Sequence, residues 1–265
     1  CYNTATMMVA FVFILGLFVG SFLNVVVLRL HRAESFVKGY SKCLACKHRL
    51  YIKDLIPLLS YLFLKGRCRY CKKKFSHQYP LLEVVTGLAF VLVFWKVIPS
   101  LDLASATALQ FIHLLDWWVI VSFLIIIFVY DLKYYLILDK IVWPGIILAL
   151  IVNLFLGFSI FNLIFAAVIG GGFFLLQFVV SKGRWIGGGD IRLGVFMGAI
   201  LGWPHVLTAL FISYILGSFI SVFLLLAKRK EMGDKIPFGT FLALGTFVTM
   251  LWGPSLINWY FSLFY

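Results

Sequence analysis

Four of the five cysteines stand in two C-x2-C pairs, Cys43 with Cys46 and Cys68 with Cys71, with 21 residues between the pairs. Each pair can present two thiolates to one ion, and two pairs complete a closed tetrahedral site of the kind that holds structural Zn2+. Disulfides and free buried thiols are the alternative readings. Cys1 stands apart and is given no role. Acids are scarce, ten Asp and Glu in 265 residues. Glu34, Asp54, Glu231 and Asp234 fall in basic loops and Asp102 in another loop, where a solvated charge is the simple reading. Asp116 interrupts an apolar run beside Trp117 and Trp118 and is left unassigned. Asp131 and Asp190 differ from these. The first closes the run FLIIIFVY and the second opens a run after Ile186-Gly187-Gly188-Gly189.

Ionisable groups at membrane depth are costly and point to function. Two carboxylates that face each other in a partly desolvated site share one proton. One then acts as base toward a water while the other donates to a peptide carbonyl, which is aspartic-protease chemistry. Gly187, Gly188 and Gly189 suit substrate binding, because a backbone without Cβ atoms can take positive φ and let an extended chain come close. The alternatives are a flexible loop, or an Asp190 that only caps a helix. Asp139 is the competing partner for Asp131. It lies eight residues on, about 80° around a helix, and otherwise caps the element that follows.

The elements that position these residues are helices in lipid. Hydrophobic residues make up 63% of the chain and charged ones 12%, and mean hydropathy is +1.05. So few charges cannot clothe a water-facing surface around that much apolar side chain. A bilayer core of about 30 Å takes about 20 helical residues. On that length the apolar runs read as eight spans: 7–28, 81–97, 104–130, 136–156, 160–180, 191–202, 206–227 and 238–256. The expectation is an all-α polytopic membrane protein: a first transmembrane helix over 1–30, a zinc-stapled cytoplasmic insert over 31–79, and seven membrane helices over 80–265.

The net charge of +13 fits that topology. If eight spans alternate, 22 of the 23 Lys and Arg fall on one side and only Lys96 on the other. Basic residues collect in cytoplasmic loops, which places the insert inside and both termini outside. The same count explains the basic insert without nucleic acid, and no nucleic-acid motif accompanies it. Residues 29–79 hold 13 Lys and Arg, suited to gripping anionic lipid headgroups. Within them Leu55–Leu64 is apolar but too short to cross, and is either the core of a small domain or an interfacial helix.

Five blocks, in order, resemble the type IV prepilin peptidase family, intramembrane aspartyl proteases of the GxGD type. Gly20-Ser21-Phe22-Leu23-Asn24-Val25 with Arg29 is similar to its N-terminal signature. The cysteine pairs followed by Tyr79-Pro80-Leu81-Leu82-Glu83 are similar to its insert. Asp131 with Ile137-Leu138-Asp139 resembles the block D-x5-I-P-D, and Gly187-Gly188-Gly189-Asp190-Ile191-Arg192-Leu193 resembles G-x-G-D-x-K-L. Ile236-Pro237-Phe238-Gly239 with Phe241-Leu242-Ala243-Leu244-Gly245 resembles P-F-G-P-F-L-A-L-G. Leu138, Arg192 and Thr240 depart from the pattern, where Pro, Lys and Pro are usual.

The resemblance implies that Asp131 and Asp190 are the catalytic pair. It implies an enzyme of the bacterial inner membrane that cuts the basic leader from type IV prepilins or pseudopilins at the cytoplasmic face. It further implies that S-adenosylmethionine methylates the new N-terminal amine. No G-x-G-x-x-G lies between a strand and a helix, so methylation rests on the resemblance alone, with Asn24, Arg29 and Glu83 as cofactor-binding candidates; polar helix packing or interfacial anchoring is the alternative for these three. Pilus or secretion assembly proteins are the further partners. A peptidase without methyltransferase activity, a transporter relaying protons through its carboxylates, and a non-catalytic scaffold recruiting assembly proteins through the zinc insert are the competing functions.

Overall fold

The structure, a computed structural model, describes residues 2–99, 106–229, 231 and 235–263. Cys1, Asp102 and Asp234 therefore lie outside the described residues, as does the start of the run at 104. The described chain is helical: α1 (Tyr2–His31), α2 (Ile52–Leu55), α3 (Leu59–Phe63), α4 (Gln78–Val97), α5 (Ala108–Tyr134), α6 (Asp139–Phe155), α7 (Ile160–Ser181), α8 (Gly188–Leu201), α9 (His205–Leu226) and α10 (Phe238–Ser262). No strand occurs among the described residues, only two isolated bridges in the insert.

Eight of these helices coincide with the eight expected runs, but six of them (α1, α4, α5, α7, α9 and α10) are long and apolar enough to cross a membrane. α6 has 17 residues and α8 has 14. At 1.5 Å per residue α8 extends about 21 Å, short of the ~30 Å hydrocarbon layer. It is bounded by Gly187 and by Gly202, whose φ of +66° ends the helix. α8 packs against α6, α7, α9 and α10, which supply the apolar surround that a lone span would take from lipid.

The chain forms two compact units, Cys1–Trp118 and Val119–Tyr265. In the first, α1 and α4 cross at small residues: a Cβ on Gly16 would lie 2.6 Å from Gly87 Cα. Such crossings let van der Waals contact and backbone proximity drive association where lipid removes the hydrophobic incentive. The Trp118 indole stacks on Phe90 at 5.1 Å and donates to the Phe90 carbonyl at 3.1 Å. In the second unit, α7 and α8 cross the same way, with a Cβ on Gly194 falling 2.4 Å from Gly170 O. That crossing fixes α8, and with it Asp190 in its first turn.

Of the two readings of Leu55–Leu64, the packed core is not what forms. Leu59, Leu62 and Phe63 of α3 are 51%, 66% and 83% exposed.

Candidate functional site

Asp131 and Asp190, 59 residues apart in sequence, line one cavity of about 800 Å³ in the second unit. Both side chains are buried. Each carboxylate meets the start of a helix, where the first backbone N–H groups lack intrahelical partners and the dipole favours an anion. Asp131 projects from α5 onto α10: its Oδ2 accepts the Thr240 N–H at 2.8 Å and the Thr240 hydroxyl at 3.3 Å. Asp190 Oδ2 accepts the Gly187 N–H at 3.1 Å at the start of its own helix. Capping, the alternative for Asp190, thus coexists with a place in the cavity.

Ile137 holds the two ends together. A Cβ on Gly189 would lie 2.9 Å from Ile137 Cβ, and one on Gly239 would lie 2.8 Å from Ile137 Cδ1 and 3.0 Å from Asp131 Oδ2. The role expected of the triple glycine is therefore corrected in one respect. None of Gly187, Gly188 and Gly189 has positive φ; Gly189 is needed because Ile137 comes so close, while Gly187 and Gly188 border the cavity with room beside them.

Asp139 does not line this cavity. It sits in the first turn of α6 and forms an ion pair with Arg192, a cavity-lining residue of α8. Two more cavity residues were not anticipated, Gln177 and Tyr214. The Tyr214 hydroxyl donates to Gln177 Oε1 at 3.0 Å, and its ring packs on Phe238 at 4.9 Å. The signal for Gln177 was an amide interrupting the run FFLLQFVV. In the first unit, Asp116 is buried with no partner for its Oδ1 among the described residues.

The cysteine pairs converge. The sulfurs of Cys43, Cys46, Cys68 and Cys71 all lie within 4.8 Å of one another, and none is in a disulfide. Cys43 and Cys71 are 3.9 Å apart, against the ~3.8 Å edge of a tetrahedron with Zn–S bonds of about 2.3 Å, so the donor set fits zinc. The two pairs are built alike. Cys43 accepts from Lys47 N and Cys68 from Lys72 N; each hairpin closes with a bridge, Lys42 to Arg49 and Arg67 to Lys74. Lys47 and Lys72 both turn back at left-handed φ, 61° and 60°. Burial works against a Cys43 thiolate, but the amides of Cys46 and Ala45 aimed at its sulfur outweigh it and pull the thiol down to about 7. The His48 amide favours a Cys46 thiolate, yet desolvation and the neighbouring sulfurs of Cys71, Cys43 and Cys68 push it up to about 11. Four thiolates this close need a cation.

Asn24, Arg29 and Glu83 line a separate cavity of about 160 Å³ in the first unit. Asn24 Nδ2 donates to the Tyr79 carbonyl at 3.1 Å, tying α1 to the start of α4. Arg29 donates to the carbonyls of Ser35, Lys38 and Tyr40 and so shapes the loop after α1. Glu83 Oε2 accepts the Leu58 N–H at 2.9 Å, pinning the insert to α4. Glu34, Asp54 and Glu83, the three acids of residues 1–97, all border this cavity together with Arg29, Arg32 and Lys42; Glu34 is paired with Lys42 and Asp54 with Arg69.

Comparison with known proteins bears on both units. A profile described as the Bacterial Peptidase A24 N-terminal domain matches residues 14–97, and one described as the Type IV leader peptidase family matches residues 118–222. A protein of Pseudomonas putida named prepilin leader peptidase/N-methyltransferase is 34% identical, over 92% of this chain and 90% of its own. Proteins of the same name from Aeromonas hydrophila and Bacillus subtilis (strain 168) are 32% and 30% identical; the alignments span 96% and 97% of this chain and 93% and 99% of theirs. No solved structure matches. With its six apolar helices the chain is a multi-pass membrane protein.

Proposed function

Because this chain belongs to the type IV leader peptidase family, we propose that it removes the basic leader from type IV prepilins or pseudopilins and then N-methylates the exposed amine. The observation that carries the reading is that Asp131 and Asp190, remote in sequence, line one cavity with both side chains buried. Asp131, which accepts two hydrogen bonds from Thr240, is the base. It takes a proton from water as the water oxygen attacks the scissile carbonyl carbon. Asp190 carries the proton that the carbonyl oxygen receives. When the C–N bond breaks, the nitrogen takes the proton that Asp131 gained, the tetrahedral intermediate returns a hydroxyl proton to Asp190, and the leader departs with a new carboxyl group. Gly187, Gly188 and Gly189 form the wall along which the substrate strand lies.

The amine so released is the acceptor for methylation. S-adenosylmethionine supplies the methyl group; Asn24, Arg29 and Glu83 line the cavity assigned to it, where Glu83 is the acid outside any ion pair among the described residues. Zn2+ held by Cys43, Cys46, Cys68 and Cys71 supplies folding energy to an insert with little core of its own. In this reading the chain comprises a first span over 1–30, the zinc-stapled insert over 31–79 and a seven-helix peptidase region over 80–265. It resides in the bacterial inner membrane with catalytic cavity and insert cytoplasmic and both termini outside, as the basic residues favour. Membrane lipids and pilus or secretion assembly proteins are its other partners.

The test is to incubate purified protein with a prepilin, with and without S-adenosylmethionine, and weigh the products. Loss of the leader in both, with a methyl increment only when the donor is present, is the expected result. Leader loss without the increment identifies a peptidase alone, and an intact prepilin rejects the function.

A further inference from the structure

We propose that the insert carries a binding site for the headgroup of an anionic phospholipid, with α3 as an apolar tip resting in the bilayer interface. Leu59, Leu62 and Phe63 follow the i, i+3, i+4 spacing that places them on one side of α3, and all are exposed. Ser60 is buried and donates to the Lys53 carbonyl at 3.0 Å. Phe63, at the exposed end, borders a cavity of about 660 Å³ whose walls include Lys65, Arg67, Lys72 and Lys74. None of these four cations has a carboxylate partner among the described residues. The two acids of the insert are engaged elsewhere, Glu34 with Lys42 and Asp54 with Arg69.

The cavity has a fixed height. His77 also lines it and immediately precedes Gln78, the first residue of α4, one of the helices able to cross a membrane. The Tyr61 hydroxyl lies 3.0 Å from His77 Nδ1, which fastens the α3 segment to the head of that span. The insert is tethered by α1 at one end and α4 at the other, so the cations stand where a span leaves the hydrocarbon and lipid phosphates begin. Free phosphate would satisfy the cations alone. An anionic lipid satisfies them and also covers the exposed face of α3. The proposal rests on the membrane placement of α4, not on the peptidase chemistry.

The full chain, with p-benzoylphenylalanine in place of Phe63, would be reconstituted in nanodiscs of phosphatidylethanolamine and phosphatidylglycerol, irradiated, and its adducts identified by mass spectrometry. Phosphatidylglycerol adducts in excess of the bulk lipid ratio are expected. Lys65→Gln or Lys74→Gln in the same background should cut the excess about fivefold per charge, with the bound metal measured to confirm an intact fold. Millimolar inorganic phosphate should leave it unchanged. Adducts to polypeptide alone, lipid adducts at the bulk ratio, or competition by inorganic phosphate would each overturn the site. Changing only the headgroup, with every cation kept, tests it without any charge variant. Leader cleavage assayed in the same nanodiscs separates its failure from failure of the enzyme assignment.

Discussion

Both donors of Thr240 fall on a single oxygen of Asp131, and a proline at that position, usual in the block it resembles, could supply neither. Thr240→Val keeps the amide and loses the hydroxyl, and should lower the turnover of leader cleavage by up to about tenfold. Thr240→Pro loses both donors while still suiting the first turn of α10, and should lower it further. Equal turnover in all three proteins would remove Thr240 from the machinery. Asp131→Asn and Asp190→Asn, which keep shape and lose the titrating acid, should each cost at least about a hundredfold. Asp139→Asn should retain more activity than either, since its partner is Arg192. The two acids were legible because carboxylates are rare in so apolar a chain. Thr240 was legible only as a departure from a pattern, because what it does depends on Asp131, 109 residues away. Gln177 shows as an amide in an apolar run, but Tyr214 looks ordinary until the fold sets the two side by side.

The connection between α5 and α6 is the element on which the catalytic geometry turns. With Ile137 wedged against Gly189 and Gly239, Gly189→Ala or Gly239→Ala should separate α8 or α10 from that connection. Each should lower cleavage more than tenfold, and Ile137→Ala should restore part of the loss when combined with either. Failure of that rescue would show that the glycines serve something other than close approach. In the insert, burial opposes the charge on Asp54, but the Arg69 guanidinium and the Tyr51 amide outweigh it and hold the carboxyl below its usual range. A folded-state value below the unfolded one means stability that is present above the ordinary carboxylate range and lost as pH falls through the lowered value. Amide exchange in α2 should therefore stay slow under mild acid and quicken under strong acid, and Asp54→Asn should flatten that response. Helix positions were readable from the apolar runs. The shortness of α8 was not, since the same letters serve a helix wrapped by protein and one wrapped by lipid. The matched turns at Lys47 and Lys72 were hidden too, because left-handed φ at lysine has no composition signal.

Across the whole molecule, the acids at residues 131 and 190 lie in one compact unit and the cysteine cluster in the other. Metal removal should first be felt in the unit that holds the cysteines. Chelation, or Cys46→Ser, should speed amide exchange at both knuckles and depress methyl transfer, because residues of the insert help to line the cavity with Asn24, Arg29 and Glu83. Unchanged exchange after complete loss of metal would show that the hairpins stand without it. α8 has a consequence at this scale. Wrapped by α6, α7, α9 and α10, a helix about 9 Å shorter than the hydrocarbon layer needs no lipid along its length, so the cavity at its head is walled by protein rather than by oil.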